Sequence, residues 1–156
     1  MKPGVYTQLY IQLVFAVKYR ECLLSEPIRN EVFSYMTGLL TNKKHKSIIV
    51  NGYADHVHVF FGMNPTMSIS DIVADLKRSS SLLINEKGWF KGKFQWQEGF
   101  GAFSYSKSHV EKVYNYIINQ KEHHQKKPFR DEYLDLLNKF EVDYDERFLF
   151  EFFDNV

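Results

Sequence analysis

At 156 residues, 44% hydrophobic and 25% charged, the chain carries enough apolar material for one domain with a substantial core. One cysteine, Cys22, excludes a disulfide framework or a multi-cysteine zinc site, and no apolar run approaches the ~20 residues of a bilayer span. The net charge of +1 conceals a basic body and an acidic tail: residues 1–130 hold 18 Lys+Arg against 10 Asp+Glu, and residues 131–156 hold 2 against 9.

Residues 6–20 are rich in β-formers and predict a long first strand. Ser25 as N-cap and Pro27 in the first turn open a helix with Ile28, Val32, Met36, Leu39 and Leu40 at helical spacing. Residues 47–53 and 56–61 predict two strands joined by a turn at 52–55, an antiparallel hairpin. A second helix begins near Ser68, with Asp71 as capping-box partner and Ile69, Ile72, Val73, Leu76 and Leu83 as its buried stripe. Residues 89–106 predict a fourth strand with a glycine joint, Gly99-Phe100-Gly101. Ser108 and Glu111 open a third helix running to about Gln125, and Pro128 separates it from a last helix bearing Tyr133, Leu136, Leu137 and Phe140. The order β-α-β-β-α-β-α predicts an α+β, ferredoxin-like split βαβ fold. This is an antiparallel four-stranded sheet with helices on one face, plus C-terminal catalytic and tail helices.

The third predicted strand carries the chemistry, Asp55-His56-Val57-His58-Val59-Phe60-Phe61. Alternation puts His56 and His58 on one face and Val57, Val59 and Phe61 on the other. Two adjacent imidazoles form part of an open metal site, or belong to a half-buried strand whose histidines only hydrogen-bond. On the third helix Val110, Val113, Tyr114 and Ile117 define the expected buried stripe, while Tyr116 and Gln120 share a face to one side of it. Tyr114 is thus the expected core residue and Tyr116 the one free to meet a substrate. Imidazole ligands alone favour zinc, whereas a glutamine oxygen and open positions shift the preference to Mg²⁺ or Mn²⁺. A tyrosine beside such an ion is a nucleophile for phosphoryl transfer. A basic body suits DNA or RNA, although a solvated surface with an acidic terminal helix fits the same charges.

Asp55-His56-Val57-His58-Val59, Leu76-Lys77-Arg78-Ser79-Ser80-Ser81, Trp96-Gln97-Glu98-Gly99-Phe100-Gly101 and Tyr116-Ile117-Ile118-Asn119-Gln120, in that order, resemble the single-tyrosine HUH transposases. These are the TnpA-like enzymes of the IS-two-hundred/six-oh-five insertion sequences, and the likeness covers about residues 5–127. The resemblance implies His56 and His58 as metal ligands, Gln120 completing the metal site, and Tyr116 attacking single-stranded DNA to leave a 5′-phosphotyrosine and a free 3′-hydroxyl. It also implies hairpins at element ends as substrate, and a homodimer in which the tyrosine helix often completes the partner's site. Lys18, Arg20, Lys77 and Arg78 are the expected phosphate contacts. Residues 1–130 are then the transposase domain, and 131–156 an acidic, aromatic extension. Phe148, Phe150, Phe152 and Phe153 are expected to dock that extension on the body or on a dimer partner, and His123 and His124 to sit solvated at a helix end. The opening residues lack the pattern of a signal peptide, so a cytoplasmic bacterial or archaeal protein is expected, with no membrane partner. The competing readings are a catalytically silent module that binds single-stranded DNA or RNA, and a domesticated, repeat-associated relative with the same chemistry.

Overall fold

The computed structural model describes residues 2–156. Its strands are β1 (Tyr10–Ala16), β2 (Lys46–Tyr53), β3 (His56–Gly62) and β4 (Gly101–Tyr105). Its helices are α1 (Glu26–Asn42), α2 (Ile69–Lys87), α3 (Val110–Ile118), α4 (Gln120–Lys126) and α5 (Phe129–Lys139). The sheet runs β2-β3-β1-β4 with every neighbour antiparallel, which is the α+β, split βαβ order that the sequence predicts. Among the described residues no helix is long and apolar enough to cross a membrane.

The register divides the sheet into two working faces. Leu13 pairs with Val59 and Phe15 with Val57, so these side chains share the face that forms the main core. Val32, Met36 and Leu40 of α1 and Ile72, Val73 and Leu76 of α2 close that core. The opposite face carries His56, His58 and Phe60 of β3, Gln12 and Val14 of β1, and Gly101 and Phe103 of β4. Helices α3, α4 and α5 cover it: Val113 and Ile117 pack on Phe60, and Phe129 stacks on His56. Residues of β3 from His56 to Phe61 are therefore buried on both sides.

Several boundaries differ from the sequence expectation, each for a local reason. The first strand spans Tyr10–Ala16, short of the expected 6–20, because its pairing with β3 ends at Ala16↔His56 and begins at Tyr10↔Gly62. The fourth strand starts only at Gly101. The preceding segment turns back, with Trp96 bridging to Val17 and donating from Nε1 to Ser80 Oγ (2.9 Å), and Gly99 adopts φ +88°. Ser68 Oγ accepts from Asp71 N as a capping box requires, and Ile84 completes the buried stripe of α2 while Leu83 is half-buried. Ser25 stands at the N-cap of α1 without a side-chain cap bond.

The expected single third helix is two. Ser108 is no N-cap: it sits in a 3-10 turn, Lys107–His109, and hydrogen-bonds to Ser106 Oγ. Asn119 (φ −97°, ψ 25°) then separates α3 from α4. Asn51 Nδ2 of β2 donates to the carbonyls of Ile117 and Ile118 (3.0 and 3.3 Å), giving these freed acceptors a partner. Tyr114 is exposed rather than buried, and Tyr116 leans on the Phe60–Val113–Ile117 cluster instead.

Candidate active site

His56 and His58 owe their placement to a tight hairpin. Tyr53 pairs with His56, leaving Ala54-Asp55 as a two-residue link. Gly52 makes this closeness possible, since a Cβ there would lie 2.3 Å from the His56 carbonyl oxygen. Both imidazoles are fully buried and each is fixed at its Nδ1. His56 Nδ1 donates to Asp55 Oδ1 at 2.7 Å, and Phe129 lies parallel to its ring at 4.0 Å. His58 Nδ1 lies 2.9 Å from the Gln12 side-chain amide, whose Oε1 accepts from Tyr105 OH at 2.6 Å. Both Nε2 atoms thereby face the same point.

Three residues from the covering helices meet them there. Gln120 Oε1, at the start of α4, is 2.8 Å from His56 Nε2. Glu132 of α5 places Oε1 3.0 Å from His58 Nε2 and 3.3 Å from His56 Nε2. Its Oε2 accepts from Gln120 Nε2 at 2.9 Å and from the Tyr116 hydroxyl. The Tyr116 ring stands edge-on to His58 with centroids 6.1 Å apart, and His123 packs against it at 4.7 Å.

The charges follow from this geometry. Burial opposes a proton on His56, but the Asp55 and Glu132 carboxylates outweigh it and push the imidazole up to about 10. For His58 burial wins and its pKa falls below 6.5. Burial likewise opposes ionisation of Glu132, yet the two imidazoles hold its carboxyl far below the usual range. Asp55 is also lowered: burial opposes this, and the His56 imidazole prevails. Burial, and then the Glu132 carboxylate, hold the Tyr116 phenol well above 10. Two imidazole nitrogens, an amide oxygen and a carboxylate converging within hydrogen-bond distances form a donor set that fits a hard divalent ion.

His56, His58, Tyr116 and Gln120, proposed from separate stretches of sequence, thus meet in one chain. The four expected phosphate contacts do not join them. Lys18 donates to Gln95 Oε1, Arg20 to the Asp154 carbonyl, and Arg78 pairs with Asp75. Lys77 donates to the carbonyls of Gln97 and Gly99 at 2.7 Å, and burial lowers its pKa to about 8. The cleft that opens on Tyr116, about 390 Å³, is lined instead by Lys112, Lys126, Lys127 and Lys139. His123 and His124 stand in the last turn of α4, as expected, but are half-buried rather than solvated. His124 stacks on Tyr53 at 4.1 Å and donates to the Val156 carbonyl. In the acidic extension Phe150 is buried on Tyr133, Phe152 and Phe153 are half-buried, and Phe148 is exposed.

Glu132 is the site residue that sequence reasoning missed. Its signal lies in α5, where Phe129, Glu132, Tyr133 and Leu136 share one stripe, placing a carboxylate among apolar residues. Gln12 is the same kind of clue, a polar residue facing inward from an otherwise apolar strand.

Comparison with known proteins shows the family of this chain. The family model of IS200-like transposases matches residues 5–120. The transposases for insertion sequence element IS200 of Salmonella typhimurium and Salmonella typhi are each 31% identical over 115 residues, covering 70% of this chain and 75% of theirs. Two solved structures share the fold. A Deinococcus radiodurans protein assigned as a transposase has a TM-score of 0.59 at 22% identity and covers 77% of this chain and 96% of its own. A REP-associated tyrosine transposase bound to a REP hairpin has a TM-score of 0.58 at 11% identity, covering 80% and 73%. With its family match ending at Gln120, on the last of the four converging residues, the chain belongs to the IS200-like transposases.

Proposed function

We propose that the protein is a metal-dependent transposase that cleaves and rejoins single-stranded DNA at hairpin-marked ends through a Tyr116 phosphotyrosine. The observation that carries this reading is the meeting of the Tyr116 hydroxyl with the two-histidine, one-glutamine pocket through a single carboxylate. His56, His58 and Gln120 would hold the ion, Mg²⁺ or Mn²⁺. When bound, the ion supplies neutralisation and polarisation of the scissile phosphate.

The chain's own residues account for the rest. Tyr116 Oη forms the new bond to phosphorus as the P–O3′ bond breaks, leaving the 5′-phosphate on the protein, and the departing 3′ oxygen takes up a proton to match the one the phenol loses. The phenol is held protonated in the resting site by burial and by its hydrogen bond to Glu132 Oε2, so attack requires its proton to leave and that hydrogen bond to be given up. Lys112 and Lys126 are placed to take backbone phosphates along the cleft, where Lys127 is paired with Asp135. A relative of the same fold that carries a REP hairpin supports hairpin DNA as the substrate. Within one chain the Tyr116 hydroxyl reaches the pocket through Glu132, which supports action in cis.

The test is incubation with a hairpin-bearing single strand and Mn²⁺, followed by denaturing electrophoresis. A covalent protein–DNA band is expected from the wild type and none from Tyr116→Phe. His56→Ala is expected to bind the DNA without cutting it. Tight binding with no adduct under any metal would make the protein a binding module instead.

A further inference from the structure

We propose that Glu132, outside the family's matched region, is itself a ligand of the divalent ion, with Oε1 bound beside His56 Nε2, His58 Nε2 and Gln120 Oε1. This rests on the metal-dependent reading above and extends the site to α5, whose first residue, Phe129, lies beyond the matched residues 5–120.

Three observations carry it. The first is distance. Adjacent ligands of an octahedral ion with bonds of ~2.1 Å lie ~3 Å apart. The donor-to-donor separations here are 2.8 Å for Gln120 to His56, 3.0 Å for Glu132 to His58 and 3.3 Å for Glu132 to His56. The second is charge. Two imidazoles and an amide are neutral ligands, whereas hard divalent ions favour anionic oxygen, and Glu132 is the carboxylate aimed at the shared point. The third is burial. Glu132 is only 6% exposed, and both its carboxylate oxygens are turned onto the site residues rather than to solvent.

The same carboxylate sets its neighbours. Glu132 Oε2 accepts from the Gln120 amide nitrogen, which turns the Gln120 carbonyl toward His56 and the ion's position. Tyr116 donates to that same oxygen, so one side chain would tie the ion to the nucleophile. The C-terminal extension is then part of the metal site rather than an appendage.

The experiment needs no DNA. Mn²⁺ is titrated into the full-length protein and free Mn²⁺ is followed by its electron paramagnetic resonance signal. Glu132→Gln keeps the size and removes the charge. It is expected to weaken binding at least about tenfold, the scale lost even when a group behind a ligand is removed. If that variant does not fold by circular dichroism, Glu132→Asp replaces it. Its carboxylate falls a methylene short, so the same loss is expected and undiminished affinity overturns the proposal. Unchanged or tighter binding in Glu132→Gln, with binding abolished by His56→Ala, overturns the Glu132 assignment and leaves the transposase reading standing. Binding that survives His56→Ala and His58→Ala together overturns both.

Discussion

Each of the paired histidines is steered from its far nitrogen, and the two steering groups differ in charge: an aspartate behind His56 and an amide behind His58. Such supports fix ring orientation and ligand basicity. Asp55→Ala is therefore expected to weaken Mn²⁺ affinity by about 10–100-fold while leaving the sheet intact, measured by titration and circular dichroism. A pH effect belongs to a different histidine. His45 is buried, accepts from the Asn64 backbone N–H, and has its pKa lowered from 6.5 by that burial. The unfolded chain therefore takes up the proton first as pH falls, and stability is lost as pH drops below the mid-sixes. A melting curve series from pH 7.5 to 5.5 should show a smaller loss for His45→Gln than for the wild type, and equal losses would refute the assignment. His56 and His58 were legible in the sequence because a strand period of two leaves no other face for them. Glu132 was not legible as a partner, because it follows His58 by 74 residues and shares its segment with many solvated carboxylates.

Helix α5 docks where a strand gives way to it. A Cβ on Gly101 would lie 2.8 Å from the Tyr133 hydroxyl and 2.9 Å from its ring, so the helix needs a glycine beneath it. Gly101→Val should lift α5, lower the melting temperature and reduce Mn²⁺ affinity together. Loss of stability with full affinity would show that α5 does not serve the ion. Phe129 fills the space over His56, and Phe129→Ala is expected to cost ~3–5 kcal/mol in chemical denaturation, as large aromatic truncations do. The element order was readable from apolar periods and caps, but the break at Asn119 was not. No proline or glycine marks it, and the carbonyls it frees are bonded by Asn51, distant in sequence. Tyr114 was misplaced because the apolar stripe of α3, centred on Val113 and Ile117, turns its Tyr116 side rather than its Tyr114 side to the sheet.

At the scale of the molecule, charge is sorted by surface as well as by sequence. The cleft beside Tyr116 gathers four lysines against two carboxylates, Glu132 and Asp135, while most other carboxylates of the extension are exposed elsewhere. Binding of a single strand should therefore weaken with salt, each phosphate contact contributing a slope of about −0.7 in log–log form. Lys112→Ala and Lys126→Ala should each flatten that slope, whereas Arg78→Ala, already paired with Asp75, should leave it unchanged. A fluorescence anisotropy series across salt concentrations decides between them. The break at Asn119 has a mechanical meaning at this scale. Tyr116 rides on one rod and Gln120 begins the next, so turning the tyrosine asks for rotation about a single residue rather than the unwinding of a helix. The ties that resist this turn are the Asn51 hydrogen bonds and the phenol's contact with Glu132. On the proposed function, a strand joined to Tyr116 would be carried on a short lever while the pocket proposed for the ion stays whole.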